Sequence, residues 1–337
     1  MRIAIYGAGS LGTILGTYLT KAGLPVELIN RNLEHTTALK ENGARVVGTV
    51  DMTVPVKALF PDEMQGTYDV IFLMTKQLNN PEVVAFLKPF LGEKGVICTM
   101  QNGIPEPSVA EVVGKERVLG CPVAWGATLI GSGVSELTTE PGALSFGLGS
   151  LNDVIDDRVL MVKEILEHMC PVEIEQNLIG IRWSKLLVNA TMSGMGTVIA
   201  GTFGEVCQNK KARRAAIMVC NECIDVGRAA GVTFARMGGV DIARALYFGN
   251  RLKMAVTYNL LPLFVRKHRS LKPSMLQDIE KGKPCEIDMI NGEVCAWGRR
   301  AGVPTPFNDK VVEIIKKVEA GELECSADNI RLFDGLI

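Results

Sequence analysis

Apolar runs of strand length alternate with segments of helical periodicity through the first half of the chain, whereas helical periodicity alone fills the second half. This alternation predicts a doubly wound α/β sheet at the start of the chain. The strands predicted for it are residues 2–6, 25–29, 44–47, 54–58, 69–74 and 95–100. Three short apolar runs separated by Gly and Pro then predict an antiparallel extension of that sheet, at residues 118–125, 133–139 and 143–146.

The second half of the chain lacks strand signals after a short run at residues 172–174. Helices are predicted at residues 178–192, 210–230, 241–258, 274–281, 288–301 and 306–320. We therefore predict two domains, with a Rossmann-type dinucleotide-binding domain at 1–175 and an all-helical substrate and catalytic domain at 176–337.

A glycine-rich turn joins the first predicted strand to the first predicted helix. Its residues are Gly7, Ala8, Gly9, Ser10, Leu11 and Gly12. In this context G-x-G-x-x-G predicts a dinucleotide site, because the helix N-terminus offers free N–H groups and partial positive charge to a pyrophosphate. The alternative is a glycine-rich turn that binds nothing.

The end of the second predicted strand selects the cofactor. NAD enzymes usually carry Asp or Glu there to bind the ribose 2′-OH. This chain has Asn30 followed by Arg31, which favours the 2′-phosphate of NADP. Two further candidates follow later strands at the same sheet edge, namely Lys76 for the cofactor and Asn102 for both cofactor and substrate.

Composition excludes several other classes of function. Lys and Arg number 36 against 37 Asp and Glu among 337 residues, so a nucleic-acid partner is not indicated. No apolar run is long enough to span a membrane, and a strand starting at residue 2 leaves no room for a signal peptide. Nine scattered cysteines indicate free thiols in a reducing, cytoplasmic compartment. Cys220 and Cys223 form an isolated C-x-x-C, for which packing is a better interpretation than zinc, so we predict no metal site.

The helix predicted at residues 178–192 carries a polar stripe. Lys185, Asn189 and Ser193 are spaced i, i+4 and i+8, so a regular helix would align them on one face of an otherwise apolar segment. We expect this stripe to line a cleft, where partial desolvation lowers the pKa of Lys185 and suits it to proton transfer. The alternative is a lysine that extends to solvent from a helix edge.

A second polar segment lies near residue 280. Ser274 with Gln277 three residues later is a capping-box pattern, and Glu286 is expected in the first turn of a helix. Helix capping explains both residues. None of the three histidines, His35, His168 and His268, has a recognisable catalytic setting, so a histidine-based dehydrogenase is not favoured.

These motifs, in this order, resemble the ketopantoate reductase (2-dehydropantoate 2-reductase) family. The match includes G-x-G-x-x-G, Gln-Asn-Gly at 101–103, Lys-x-x-x-Asn at 185–189 and Ser-Met-Leu-Gln-Asp at 274–278. It continues through Glu286, the Ile-Asn-Gly at 290–292 and the Gly-Val-Pro-Thr-Pro at 302–306. The resemblance implies a Rossmann domain followed by a helical domain, an active site in the cleft between them, and NADPH-dependent reduction of a branched 2-keto acid to a D-2-hydroxy acid in pantothenate biosynthesis.

The resemblance also implies a role for each matching position. Lys185 is the expected acid that protonates the ketone oxygen, and Glu286 is expected to orient the substrate and contact the cofactor. The remaining expected roles are cofactor and substrate contact for Asn102, substrate binding for Asn189 and Ser274, and cofactor binding for Arg31, Lys76 and Ala127. Substrate binding is also expected of Ser193, although this residue does not match the family pattern.

One position departs from the family pattern. The family commonly has a second Asn eight residues after the Lys, whereas this chain has Ser193. The shorter side chain leaves room for a different substrate, so a D-2-hydroxyacid dehydrogenase acting on other branched 2-keto acids is the main alternative. A non-catalytic NADP-binding sensor is a further alternative, and a homodimer is one candidate for the oligomeric state, which the sequence leaves open.

Overall fold

The computed structural model describes residues 1–336, which form twelve strands and fourteen α-helices. The chain separates into two compact units, which divide after Leu178. The assignment of cofactor binding to 1–175 and of substrate chemistry to 176–337 remains a prediction.

The strands belong to the first unit and alternate there with five helices. The strands are β1 (Ile3–Tyr6), β2 (Val26–Ile29), β3 (Ala44–Gly48), β4 (Met52–Val54), β5 (Lys57–Leu59), β6 (Tyr68–Leu73), β7 (Leu91–Thr99), β8 (Val118–Gly120), β9 (Ala127–Gly131), β10 (Val134–Leu137), β11 (Phe146–Ser150) and β12 (Val172–Ile174). The helices are α1 (Ser10–Lys21), α2 (Leu33–Asn42), α3 (Asn80–Leu87), α4 (Glu106–Val113) and α5 (Asp157–Glu167).

Eight of these strands form one sheet in the order β12-β11-β8-β7-β6-β1-β2-β5. Six neighbouring strands of this sheet, β5, β2, β1, β6, β7 and β8, are parallel. They follow the strand order of a Rossmann fold, as predicted. β1 and β6 at its centre are buried almost throughout, as expected of strands covered on both faces. Their carboxyl ends therefore deliver the residues after Tyr6 and Leu73 to one edge.

The predicted extension is only partly antiparallel to this sheet. β11 pairs antiparallel with β8, as expected. β10, in contrast, pairs parallel with β3 and antiparallel with β9, so that β4, β3, β10 and β9 form a second sheet. The run predicted at 54–58 is divided between the two sheets, because its two ends belong to β4 and β5. This separation depends on long-range pairing, which local periodicity does not encode.

The remaining α-helices follow in the second half of the chain. They are α6 (Leu178–Val188), α7 (Met195–Val198), α8 (Phe203–Gln208), α9 (Lys210–Ala229), α10 (Ile242–Leu246), α11 (Arg251–Val265), α12 (Ser274–Glu280), α13 (Asn291–Ala301) and α14 (Pro306–Glu319). The prediction of one helix over 241–258 is wrong, because residues 247–250 separate α10 from α11 and Asn250 caps the second of them. In the described residues no helix is both long and apolar enough to cross a membrane.

Candidate functional site

The glycine-rich turn rests on the ends of its neighbouring strands. The N–H groups of Gly7 and Ala8 both donate to the carbonyl of Ile29, at 2.9 and 3.0 Å. Gly7 has a φ of 102°, and a Cβ there would lie 2.5 Å from the Thr75 nitrogen. A Cβ on Gly12 would lie 2.7 Å from the Gly7 carbonyl oxygen. Both glycines are thus required by close backbone approach.

Gly9 differs from these two glycines, because a Cβ built on it meets nothing within 4 Å. It precedes α1, whose first N–H groups have no partner in the helix itself. Open space in front of a helix N-terminus is the cradle that a pyrophosphate needs. The residues present therefore fit a dinucleotide.

The Ala8 carbonyl is held by three side chains. It accepts from Asn30 Nδ2 and His35 Nε2, each at 2.8 Å, and from the Thr13 hydroxyl at 3.3 Å. Because a carbonyl only accepts, His35 carries its proton on Nε2, and its Nδ1 accepts from the Gly133 N–H at 3.0 Å. Burial lowers the pKa of His35, and the bond to Ala8 partly opposes this shift. A neutral imidazole thus links the turn to the second sheet.

Asn30 also orients the segment that carries Arg31. Its Oδ1 accepts from the Asn32 N–H at 2.9 Å, and Asn32 caps α2 through the His35 N–H at 2.8 Å. Arg31 is exposed between these two fixed residues, and its charge lowers the pKa of Tyr6 against the larger raising effect of burial. The guanidinium therefore acts on the carboxyl end of β1.

Polar side chains tie the ends of β6 and β7 together. Gln101 Nε2 donates to the Thr75 carbonyl at 2.8 Å and to Asn80 Oδ1 at 2.7 Å. Gln77 Nε2 donates to the Asn102 carbonyl, and Lys76 and Asn102 are both half-buried. The structure thus brings Lys76 and Asn102 to neighbouring loops at the edge where the glycine turn lies.

Ala127 begins β9 in the second sheet and is half-buried. β9 packs against α1, the helix that follows the glycine turn. Ala127 also packs against the apolar core that includes Ala8, a residue of the turn.

In the second unit, the polar stripe does not lie on one regular helix. α6 ends at Val188, and Asn189–Gly194 is a π-helix, with wider turns than an α-helix. The α-helical spacing expected for Lys185, Asn189 and Ser193 therefore does not extend to Ser193, although the surrounding segment is largely buried as expected. Lys185 and Asn189 are half-buried, and Ser193 is buried.

The capping predictions near residue 280 are also wrong. Pro273 occupies the N-cap of α12, and no side chain caps that helix, so Ser274 is its first residue and is exposed. The Gln277 amide donates instead to the carbonyl of Lys272. Glu286 precedes a short 3₁₀ turn over Ile287–Met289 and is half-buried. Capping therefore does not account for Ser274 or Glu286.

Sequence reasoning did not identify three residues at the glycine turn. The sequence indicates Asn30 only as the position of a missing carboxylate, and it gives His35 no recognisable catalytic setting. The Thr75 hydroxyl is buried at the same edge and has no hydrogen-bond partner in the part of the chain that the structure describes. The only sequence signal for a role of Thr75 at this edge is its position directly after a buried strand.

Cys220 and Cys223, the C-x-x-C pair, are both buried. Desolvation raises the pKa of the Cys220 thiol to about 12.

Comparison with known proteins gives two sequence-family matches. The family described as "Ketopantoate reductase PanE/ApbA" matches residues 3–150, and "Ketopantoate reductase PanE/ApbA C terminal" matches residues 177–319. A 2-dehydropantoate 2-reductase of Streptococcus pyogenes serotype M3 is 26% identical over 323 residues, covering 95% of this chain and 98% of that protein.

Two solved structures illustrate the similarity of fold. D-mandelate dehydrogenase with NADH and anilino(oxo)acetate has a TM-score of 0.80 at 24% identity, covering 95% of this chain and 99% of that one. A ketopantoate reductase from Staphylococcus aureus, described as dimeric, has a TM-score of 0.74 at 17% identity, covering 96% and 100%. At these identities the likeness shows the fold alone.

Proposed function

We propose a specific reaction for this chain, which belongs to the ketopantoate reductase family and is an oxidoreductase. The reaction is NADPH-dependent reduction of a branched 2-keto acid to the D-2-hydroxy acid. The substrate that the family favours is 2-dehydropantoate, reduced to pantoate in pantothenate and coenzyme A biosynthesis.

The first unit supplies the cofactor site in this proposal. Gly9 and the α1 N-terminus hold the pyrophosphate, and Arg31 pairs with the 2′-phosphate of the adenosine ribose. Lys76, Asn102 and Ala127 are further cofactor contacts. NADPH, when bound, supplies the hydride.

Lys185 supplies the proton. Negative charge develops on the ketone oxygen as the hydride is transferred, and a fixed ammonium both stabilises that charge and donates a proton to the oxygen. The half-buried position of Lys185 on a largely buried helix supports this role, because a partly desolvated ammonium interacts more strongly with the developing charge than one in bulk water.

The remaining polar residues orient the substrate. Asn102, Asn189, Ser193 and Ser274 offer neutral hydrogen-bonding groups for the carboxylate and side chain of a 2-keto acid, and Glu286 offers an acceptor for a hydroxyl. A substrate-binding role for Ser274 and Glu286 is supported because neither residue caps a helix through its side chain.

One observation carries the proposal. Lys185 and Asn189 are both half-buried and are separated by a single helical turn, at the junction of α6 with a π segment. Short π segments are frequent at functional sites. A sensor that only bound NADP would have no need for this arrangement.

A second substrate class is favoured by Ser193. Its side chain is shorter than the Asn of the family pattern, and a structure of similar fold is a D-mandelate dehydrogenase. Reduction of other branched or aromatic 2-keto acids is therefore the alternative to 2-dehydropantoate.

We also propose a homodimer. A ketopantoate reductase of similar fold is described as dimeric, and α11 of this chain exposes Leu252 and Val256 at 77% and 52%. Analytical ultracentrifugation distinguishes this dimer from a monomer.

Two measurements test the reaction together. The first is NADPH oxidation with a panel of 2-keto acids, including 2-dehydropantoate, its analogue without the hydroxyl, and benzoylformate. The second compares Lys185→Ala with Lys94→Ala, which changes an exposed lysine at the start of β7. We expect Lys185→Ala to reduce turnover at least about a hundredfold while NADPH binding persists. Equal turnover in the two variants would show that Lys185 does not donate the proton.

A further inference from the structure

The π segment at Asn189–Gly194 is contacted by a buried amide from a distant part of the second unit. Asn291, the first residue of α13, has no exposed surface. Its Nδ2 donates to the carbonyl of Ala190 at 3.1 Å. A side chain that bonds into the backbone of a helix is one of the recognised causes of irregular helical turns.

Gly194 allows this amide to lie directly on the helix. A Cβ on Gly194 would lie 2.6 Å from Asn291 Oδ1 and 3.0 Å from Nδ2. Any other residue at 194 would displace the amide or the helix. The last residue of the π segment and the side chain that binds it are thus sterically matched.

A buried carboxylate fixes which way the amide points. Glu222 accepts the N–H groups of Phe307 and Asn308 at the N-terminus of α14, each at 2.9 Å, and the Asn308 Nδ2 at 2.7 Å. Asn308 must therefore turn its Oδ1 away from Glu222, and this oxygen accepts from Asn291 Nδ2 at 2.9 Å. Asn291 in turn has to direct its donor, and not its oxygen, at the π segment.

The reverse orientation of Asn291 would set its oxygen against two acceptors, the Ala190 carbonyl and Asn308 Oδ1. The present orientation leaves Asn291 Oδ1 without a hydrogen-bond partner among the described residues. A buried polar atom without a partner is destabilising, because it has lost its hydrogen bonds to water. This unpaired oxygen is the consequence of an orientation in which Asn291 Nδ2 donates to the Ala190 carbonyl.

We propose that Asn291 is a positioning residue, which holds the π segment through Ala190 and so sets the side chains of Asn189 and Ser193 for the substrate. The inference rests on the proposed function, because it takes those two residues as substrate contacts. It assigns a role to the Asn of the Ile-Asn-Gly at 290–292, a residue that no catalytic step uses.

Two variants test this role against two controls. Asn291→Asp keeps the shape of the side chain but replaces the donor by an acceptor, and Gly194→Ala displaces the amide sterically. Gly292→Ala is the matched control, because a Cβ there has its nearest neighbour at 3.4 Å. Val311→Ala is a control for destabilisation, because it removes buried apolar volume on α14 and none of the hydrogen bonds described above involves Val311.

We expect Asn291→Asp and Gly194→Ala to raise KM for the 2-keto acid about tenfold or more, with KM for NADPH changed less than about twofold, because misplaced substrate contacts act on one ligand only. Crystal structures of both variants should show residues 189–194 in an altered helical register. The two control variants should keep both KM values and the π segment.

Three results would overturn the inference. These are an unchanged π segment in both variants, an unchanged KM for the 2-keto acid despite an altered segment, and a tenfold rise in that KM in Val311→Ala as well. If Asn291→Asp does not fold, Gly194→Ala alone gives the same readings. A wild-type enzyme that reduces no 2-keto acid would overturn the proposed function and this inference with it, whereas an active wild type with unmoved variants would overturn this inference only.

Discussion

His35 makes the stability of this protein depend on pH in a predictable direction. The ring is 2% exposed, donates from Nε2 to the Ala8 carbonyl and accepts at Nδ1 from the Gly133 N–H. A second proton on Nδ1 would place two N–H groups against each other. The folded state therefore resists protonation of this ring, and burial lowers its pKa from the ordinary 6.5.

The magnitude follows from proton linkage. Above pH 6.5 the ring is neutral in both the folded and the unfolded states, so the stabilisation is complete. As the pH falls below that value, the unfolded chain binds a proton that the folded state does not. The free energy of unfolding then declines by up to about 1.4 kcal/mol per pH unit, until the pH reaches the lowered pKa of the folded state.

The assay is urea denaturation of the full chain between about pH 8 and about pH 5, for wild type and His35→Gln. Glutamine offers one donor and one acceptor but does not titrate, so it replaces the neutral ring in both hydrogen bonds. The comparison is necessary because burial raises the pKa of Glu175, Glu222 and Glu293, which adds stability as the pH falls. Those carboxyl groups contribute equally to both proteins and cancel in the difference.

We expect the stability advantage of wild type over His35→Gln to shrink progressively below pH 6.5. NADPH affinity should not follow this course, because the ring of the folded protein stays neutral until the pH reaches its lowered pKa. Parallel curves for the two proteins throughout this range would refute the reasoning, since they would show that His35 titrates no differently in the folded state.

Further predictions concern the cofactor site. Arg31→Ala should weaken NADPH binding at least about tenfold more than NADH binding, because only NADPH has the 2′-phosphate that a guanidinium pairs with. Isothermal titration calorimetry with both cofactors measures this difference. Equal losses of affinity for the two cofactors would contradict the assignment of Arg31. Gly9→Ala should leave the melting temperature within about 2 °C of wild type while weakening NADPH about tenfold or more, because its methyl group meets no protein atom but enters the proposed pyrophosphate space. Gly12→Ala is the contrasting variant, and we expect it to lower the melting temperature because its Cβ would lie 2.7 Å from the Gly7 oxygen. A Gly12→Ala variant as stable as wild type, or a Gly9→Ala variant that binds NADPH as tightly as wild type, would contradict these roles of the two glycines.

The parts of this protein that local sequence determines are its elements and their classes. Continuous apolar runs predicted the parallel core, with β1, β2 and β6 within a residue or two of their bounds. The glycine motif predicted the tight turn at Gly7, because few other arrangements require that pattern after a strand. Periodicity was also sufficient for the long helices α9, α13 and α14.

Local pattern failed where a distant partner decides the conformation. The stripe through Lys185, Asn189 and Ser193 assumed α-helical spacing throughout, but Asn189–Gly194 is a π-helix, and an amide 101 residues away contacts it at Ala190. The capping box at Ser274 matched its pattern, and Pro273 took the N-cap instead. Asn30 lacks the carboxylate of NAD enzymes, yet only its bond to the Ala8 carbonyl shows what the amide does.

Sequence alone thus determined the fold class, the glycine turn and the family of this chain, because these depend on residue type and on spacing within a few turns or one strand. Tertiary structure alone decided the second sheet, the tautomer of His35 and the π segment, because each depends on hydrogen bonds between residues far apart in the chain. A buried polar group must find its partner wherever the fold brings one within about 3 Å, and no local pattern specifies where that is.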